Sequence, residues 1–139
     1  MVLVNGNMKL FNKNTDYAAR ALMYLSKEKN RFVSSTEISN AVKIPLFYIR
    51  RILPELTKNG ILISREGLAG GVKLKKKPEV IRILDLIKIF QGDIKISECI
   101  FRKKICANRS KCVLRYELKK IENLVEQKFR NITIKKLAS

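Results

Sequence analysis

SSTEISNAVKIPLFYIRRILPELTKNGILISREGLAGGVKL, residues Ser34–Leu74, decides the fold. A helix opens at Ser34 or Ser35. With Ser34 as the cap, Glu37 stands at the capping-box position, ahead of the apolar Ile38, Ala41 and Val42. A following helix runs from about Pro45 to Lys58 and buries Leu46, Ile49, Ile52, Leu53 and Leu56. Pro45 suits the first helical position, and Asn59-Gly60 is a stop signal. Pro54 interrupts the pattern, because an interior proline removes a backbone bond at a cost of ~3 kcal/mol. A kink near Arg50–Pro54 or an early end is expected, and either leaves the first turns intact. Ile61–Ser64 and Val72–Leu74 read as short strands joined by the glycine-rich loop Arg65–Gly71, where glycine permits positive φ and close approach.

Outward on the N-terminal side, Ala18, Ala21, Leu22 and Leu25 recur at helical spacing over Asn14–Ser26. Asn14 or Thr15 can cap this helix, with Asp16 in its first turn. Alone, the glycine loop fits any hairpin, but its place after three helices specifies a winged helix-turn-helix. The expected class is mostly α with a small two-stranded β wing and a long dimerisation helix. In such a module the third helix enters the major groove of duplex DNA and the wing meets the neighbouring backbone or minor groove. Tyr48, Arg50 and Arg51, at the front of that helix, are the base-reading candidates, since arginine donates bidentately to guanine. The alternative for the two arginines is phosphate or solvent. Ser35, Thr36, Arg65, Gly70 and Lys73 are expected at the DNA backbone, fixing register. Lys75, Lys76 and Lys77 fit a solubilising run.

On the C-terminal side, a helix is expected from Pro78 to about Phe90, burying Ile83, Leu84, Ile87 and Phe90, with Gln91-Gly92-Asp93 ending it. Farther on, Leu114, Leu118, Ile121, Val125, Lys128 and Ile132 alternate in steps of four and three. That is the seam of a helix, about Lys111–Arg130, packed on a copy of itself. Burial against the winged half is the alternative. Asn131-Ile132-Thr133 ends it, and Thr133 can cap a final turn through Leu137. The expected organisation is an extension over 1–7, a DNA-binding domain over 8–78, a connecting helix over 79–98, a cysteine-rich loop over 99–112, and the dimerisation helix and final turn over 113–139. Met8 is a second candidate start.

Thirty basic against twelve acidic residues give +18 over 139 residues. Such a field favours polyanions through counterion release. DNA, ribosomal or other RNA, and an acidic membrane surface all satisfy charge alone. The excess is densest in residues 99–139, where twelve Lys/Arg stand against Glu117, Glu122 and Glu126. No apolar run suits a bilayer span and no signal peptide is recognisable, so a cytoplasmic chain without membrane attachment is expected. With no histidine, no nucleophile–base pairing and no phosphate-binding fingerprint, neither catalysis nor a protein substrate is expected.

Cys99, Cys106 and Cys112 are the chain's three cysteines, spaced Cys-x6-Cys-x5-Cys. An odd number cannot all pair within one chain, and reduced cytoplasmic thiols suit metal or redox chemistry better than a disulfide framework. An iron–sulfur cluster, a zinc site lacking a fourth thiolate, and a cluster-free thiol switch are all open on spacing alone. Arg102, Lys103, Lys104, Arg109 and Lys111 favour the thiolate form.

Met8-Lys9-Leu10, Thr15-Asp16-Tyr17-Ala18, Ile44-Pro45, Tyr48-Ile49, Leu56-Thr57-Lys58-Asn59-Gly60, Gly67-Leu68-Ala69-Gly70-Gly71 and Asn131-Ile132-Thr133-Ile134, in this order and with the cysteines between, resemble the Rrf-two family of bacterial winged-helix regulators. The resemblance covers residues 8 to about 137. It implies a homodimer that binds a partly palindromic duplex operator, most simply as a repressor, through an iron–sulfur cluster on Cys99, Cys106 and Cys112 that senses nitric oxide, oxygen or cluster status. The IscR type has a histidine three residues past the last cysteine, where this chain has Arg115, so that ligand set is excluded. The NsrR type takes an aspartate from the other subunit's first helix, and Asp16 occupies the matching position. The resemblance therefore implies a 4Fe–4S rather than a 2Fe–2S cluster, with Asp16 of the partner subunit as fourth ligand. Air handling can strip it. Glu66 replaces a wing arginine of the IscR type, and the first cysteine gap is one residue longer.

Overall fold

The computed structural model describes residues 9–96 and 113–139, so Met8, the 1–7 extension and all three cysteines lie outside the described residues. Lys13–Ser26 forms α1. Its cap is Asn12, not Asn14 or Thr15: Asn12 Oδ1 accepts from the Thr15 amide at 2.9 Å. Thr15 is fully buried, so its side chain serves the interior rather than the terminus. At α2, Ser35–Val42, Ser34 caps as its position predicts and accepts from the Glu37 amide at 3.1 Å. The Glu37 carboxylate instead binds Arg31 and Tyr24.

α3 spans Leu46–Lys58 and contains Pro54 without ending there. Proline at 54 leaves the Arg50 carbonyl without its helical donor, but both residues lie on the exposed face, where water replaces the bond. The opposite stripe, Ile49, Ile52, Leu53 and Leu56, is buried. Leu62–Arg65 (β1) and Gly71–Leu74 (β2) pair antiparallel, with Leu62 opposite Leu74 and Arg65 opposite Gly71. Val33 extends this hairpin by exchanging two 2.8 Å backbone bonds with Val72. Gly71 sits at φ +149, and a Cβ there would collide with the Val33 carbonyl, so the close bridge requires glycine.

α4 begins at Ile83 and ends at Phe90, five residues later than a start at Pro78 would give. The C-terminal segment claims the backbone in between. The Ile134 amide donates to Ile81, the Lys135 amide to Pro78, and the Ile83 amide to Ile132, at 2.9, 3.1 and 2.9 Å. Arg82 and Thr133 form an antiparallel bridge. α5 is Val113–Arg130, and α6 is Ile134–Ala138, capped by Thr133. Ile134 is fully buried in the same core as Leu22, Ile38, Ile49, Leu56 and Leu86, so the chain's last turn packs on its first helix. α5 buries no residue. Within a single chain Val125, Phe129 and Ile132 pack partly on the core, whereas Leu114 and Ile121 remain 67% and 47% exposed. Among the described residues no helix is long and apolar enough to cross a membrane.

Candidate nucleic-acid interface

α3 divides its residues sharply. Phe47, Arg50, Arg51, Pro54, Glu55 and Lys58 face outward, opposite the core stripe. Arg50 and Arg51 are exposed as their candidate role requires. Tyr48 differs from expectation: it is half-buried, because its ring packs edge-on against Tyr17 of α1 at 5.2 Å and against Phe47 at 5.1 Å. Lys13 lies 5.0 Å from the Tyr48 centroid, its Nζ 3.5 Å from the hydroxyl. Tyr48 thus joins α3 to α1 and presents only part of its side chain. Arg51 stacks over Phe47 at 5.4 Å.

The wing is braced from behind. Residues 32 and 73 face each other across the Val33–Val72 bridge, and Lys73 Nζ lies 4.8 Å from the Phe32 centroid. Gly71 has no side chain to block the way, and Arg65 reaches across β2 to the same ring at 4.1 Å. Arg65 also donates to the Ala69 carbonyl at 2.8 Å, closing the loop. A Cβ on Gly70 would strike the Arg65 carbonyl, which makes this turn equally dependent on glycine. Two cations thereby lie against one aromatic ring (cation–π attraction against mutual repulsion), a basic pair of the kind that suits a phosphate contact. Ser35 and Thr36 occupy the first turn of α2, with Thr36 exposed. Leu68 is fully exposed at the wing tip.

Behind these elements, Arg31 bridges Glu37 and Glu28 at 2.6 and 2.7 Å. The Arg31 hydrogen bonds hold the Glu37 carboxyl below the usual carboxylate range, against the opposing effect of desolvation. Partial desolvation, then the hydrogen bond to Glu37, push the Tyr24 phenol up. This cluster, one guanidinium against two carboxylates, fixes the α1–α2 connection.

The first turn of α1 meets the end of α4. Gln91 Oε1 accepts from the Asn12 amide at 2.9 Å and from Thr15 Oγ1 at 2.6 Å, while Gln91 Nε2 donates to the Leu10 carbonyl at 3.2 Å. Asp16 follows directly and is partly exposed. Its Oδ2 accepts from Arg20 Nε at 3.0 Å, and Oδ1 has no partner among the described residues. At the entry to the cysteine segment the Ile96 amide donates to Glu122 of α5 at 2.9 Å. Among the described residues no cluster of three or more His, Cys, Asp or Glu could hold a metal.

Residues 11–139 match the Rrf2 family, described as iron-dependent transcriptional regulators. The chain belongs to the Rrf2 family. It is similar to the HTH-type transcriptional regulator NsrR of Bacillus licheniformis, 33% identical over 115 residues, covering 81% of this chain and 80% of the relative. In fold, this Rrf2 chain is similar to CymR of B. subtilis, titled the global cysteine regulator, with TM-score 0.77 at 21% identity over 94% of this chain and 97% of that one. IscR of T. potens follows the same fold, with TM-score 0.71 at 20% identity over 94% and 86%. As an Rrf2 regulator the chain is a DNA-binding transcription factor and not an enzyme.

Sequence reasoning about this Rrf2 chain overlooks Phe32, Phe47 and Gln91. Phe32 precedes the second helix and carries no periodic signal, and its role depends on a β-bridge between residues distant in sequence. Phe47 was legible as the outward neighbour of Arg50 and Arg51 on the helix wheel. Gln91 reads only as a helix end.

Proposed function

We propose that this Rrf2 protein is a homodimeric repressor whose operator affinity is set by an iron–sulfur cluster held by Cys99, Cys106, Cys112 and Asp16 of the partner subunit. The observation that carries the reading is the position of Asp16. It lies one residue past the Thr15–Gln91–Asn12 network, which ties the first turn of α1 to the C-terminal end of α4, eight residues ahead of Cys99. Three thiolates and one carboxylate form a donor set suited to iron, and Asp16 Oδ1, without a partner among the described residues, is available as the oxygen ligand. When bound, such a cluster supplies an iron site reactive toward nitric oxide or oxygen. Asp16 belongs to the DNA-binding half, and α1 packs directly on α3. A carboxylate held by the other subunit therefore fixes the spacing of two recognition helices, and its release frees them.

The exposed Leu114 and Ile121, with half-buried Leu118, Val125 and Ile132, support a second copy along α5. Arg50 and Arg51 serve base contact, Tyr48 the edge of the same surface, and Ser35, Thr36, Arg65, Gly70 and Lys73 the phosphate backbone. Asp16→Ala tests the coupling. At matched iron and sulfide content, the variant should bind operator with an affinity that no longer follows cluster state, whereas an unchanged response rules out the tie. Wild-type protein that binds no iron under any condition but still switches on thiol oxidation transfers the case to a cluster-free thiol regulator.

A further inference from the structure

We propose that Phe47 and Arg51 form one reading unit that selects a thymine on the base pair next to a guanine in the major groove. The inference rests on the DNA-binding reading above and adds a sequence preference to it. Phe47 is 60% exposed in the second position of α3, at the end of the helix that enters the groove in this module. Its ring is nevertheless held in place. Tyr48 packs edge-on at 5.1 Å on one side, itself anchored to Tyr17 of α1, and the Arg51 guanidinium stacks at 5.4 Å on another.

A phenyl ring forms no hydrogen bond with a base edge. The apolar group that the natural bases display in the major groove is the thymine C5-methyl, so that methyl is the target chemistry offers Phe47. Arg51, four residues on, shares the outward stripe and offers the bidentate donor pair that matches guanine O6 and N7. Stacking against the ring restricts the guanidinium's rotamers and presents it beside the methyl contact. The two targets then fall on neighbouring base pairs. Arg50, exposed with no ring contact among the described residues, lacks this constraint.

The test uses the full-length, anaerobically purified protein. A randomised duplex pool is enriched by binding, and each thymine of the enriched site is then replaced singly by uracil, which removes only the methyl. At one thymine per half-site, adjacent to a required guanine, uracil should weaken wild-type binding about fourfold, the worth of one buried methyl. Phe47→Ala should bind thymine and uracil versions equally, and 5-methylcytosine in place of that thymine, paired with guanine, should keep the methyl contact. Arg51→Ala should lose about tenfold or more of the preference for the neighbouring guanine. Uracil substitutions that all leave wild-type affinity within twofold overturn the inference while the DNA-binding reading stands. Failure to enrich any duplex overturns that reading and the inference with it.

Discussion

Thr15→Val exchanges a buried hydroxyl for a methyl inside the network joining α1 to α4, and its cost follows from counting donors and acceptors. Thr15 Oγ1 lies 2.9 Å from Asn12 Oδ1 and 2.6 Å from Gln91 Oε1, and its single proton serves one of them at a time. Both acceptors keep another donor in the variant: the Thr15 backbone amide for Asn12 Oδ1 and the Asn12 amide for Gln91 Oε1, each at 2.9 Å. No partner is orphaned, so the expected loss is that of one net hydrogen bond, about 1 kcal/mol. Gln91→Leu strands the Asn12 amide and the Leu10 carbonyl as well, and should cost about 2 kcal/mol. In the Gln91→Leu background the hydroxyl still has Asn12 Oδ1 as acceptor, so adding Thr15→Val removes that bond as well and the total should reach about 3 kcal/mol. Urea unfolding of the four proteins at one protein concentration, followed by circular dichroism, reads all three values. A negligible loss for Gln91→Leu, or a larger loss for Thr15→Val than for Gln91→Leu, would refute the network as the tie between α1 and α4.

Gly71→Ala should destabilise the fold by about 2 kcal/mol or more and loosen the wing, because the added Cβ meets the Val33 backbone at a positive φ; urea unfolding and the hydrogen-exchange protection of Val72 check it. Ile121→Glu should leave the helical content of each chain unchanged but shift sedimentation from dimer to monomer, since Ile121 is exposed within one chain. Arg65→Ala and Lys73→Ala should each reduce the slope of log affinity against log salt by about 1 without changing sequence preference. Arg31→Gln should return the Glu37 carboxyl toward its ordinary range. In the wild type that carboxyl is depressed by its Arg31 hydrogen bonds, so the associated stability is present above the ordinary carboxylate range and fades as pH falls through and below it. An NMR titration of the Glu37 side chain follows both.

The fold was largely legible where local chemistry and hydrophobic period agree. Ser34 three residues before Glu37, the Ile49–Leu56 stripe and the Gly67–Gly71 loop each specify their element without distant help. Misreadings arose where distant backbone intervened. Pro78 looks like a helix start, but Ile132–Lys135 takes the hydrogen bonds of residues 78–83 and delays α4 to Ile83. Thr15 looks like a cap, but a glutamine 76 positions later draws it inward. For the interface, Arg50, Arg51, Arg65 and Lys73 could be named from charge and position. The Phe32 ring beneath two of them could not, since only the Val33–Val72 bridge brings it there.

The central claim is that iron–sulfur chemistry at the cysteine segment governs α3 on DNA. The direct measurement is fluorescence anisotropy of the enriched duplex, titrated with anaerobically purified protein of known iron, sulfide and zinc content, before and after nitric oxide. About four iron and four sulfide per chain, with affinity falling at least about tenfold, equivalent to ~1.4 kcal/mol, on exposure to nitric oxide, is the result predicted. Absence of iron and sulfide after anaerobic reconstitution, or a loaded cluster whose destruction leaves affinity unchanged, would contradict it.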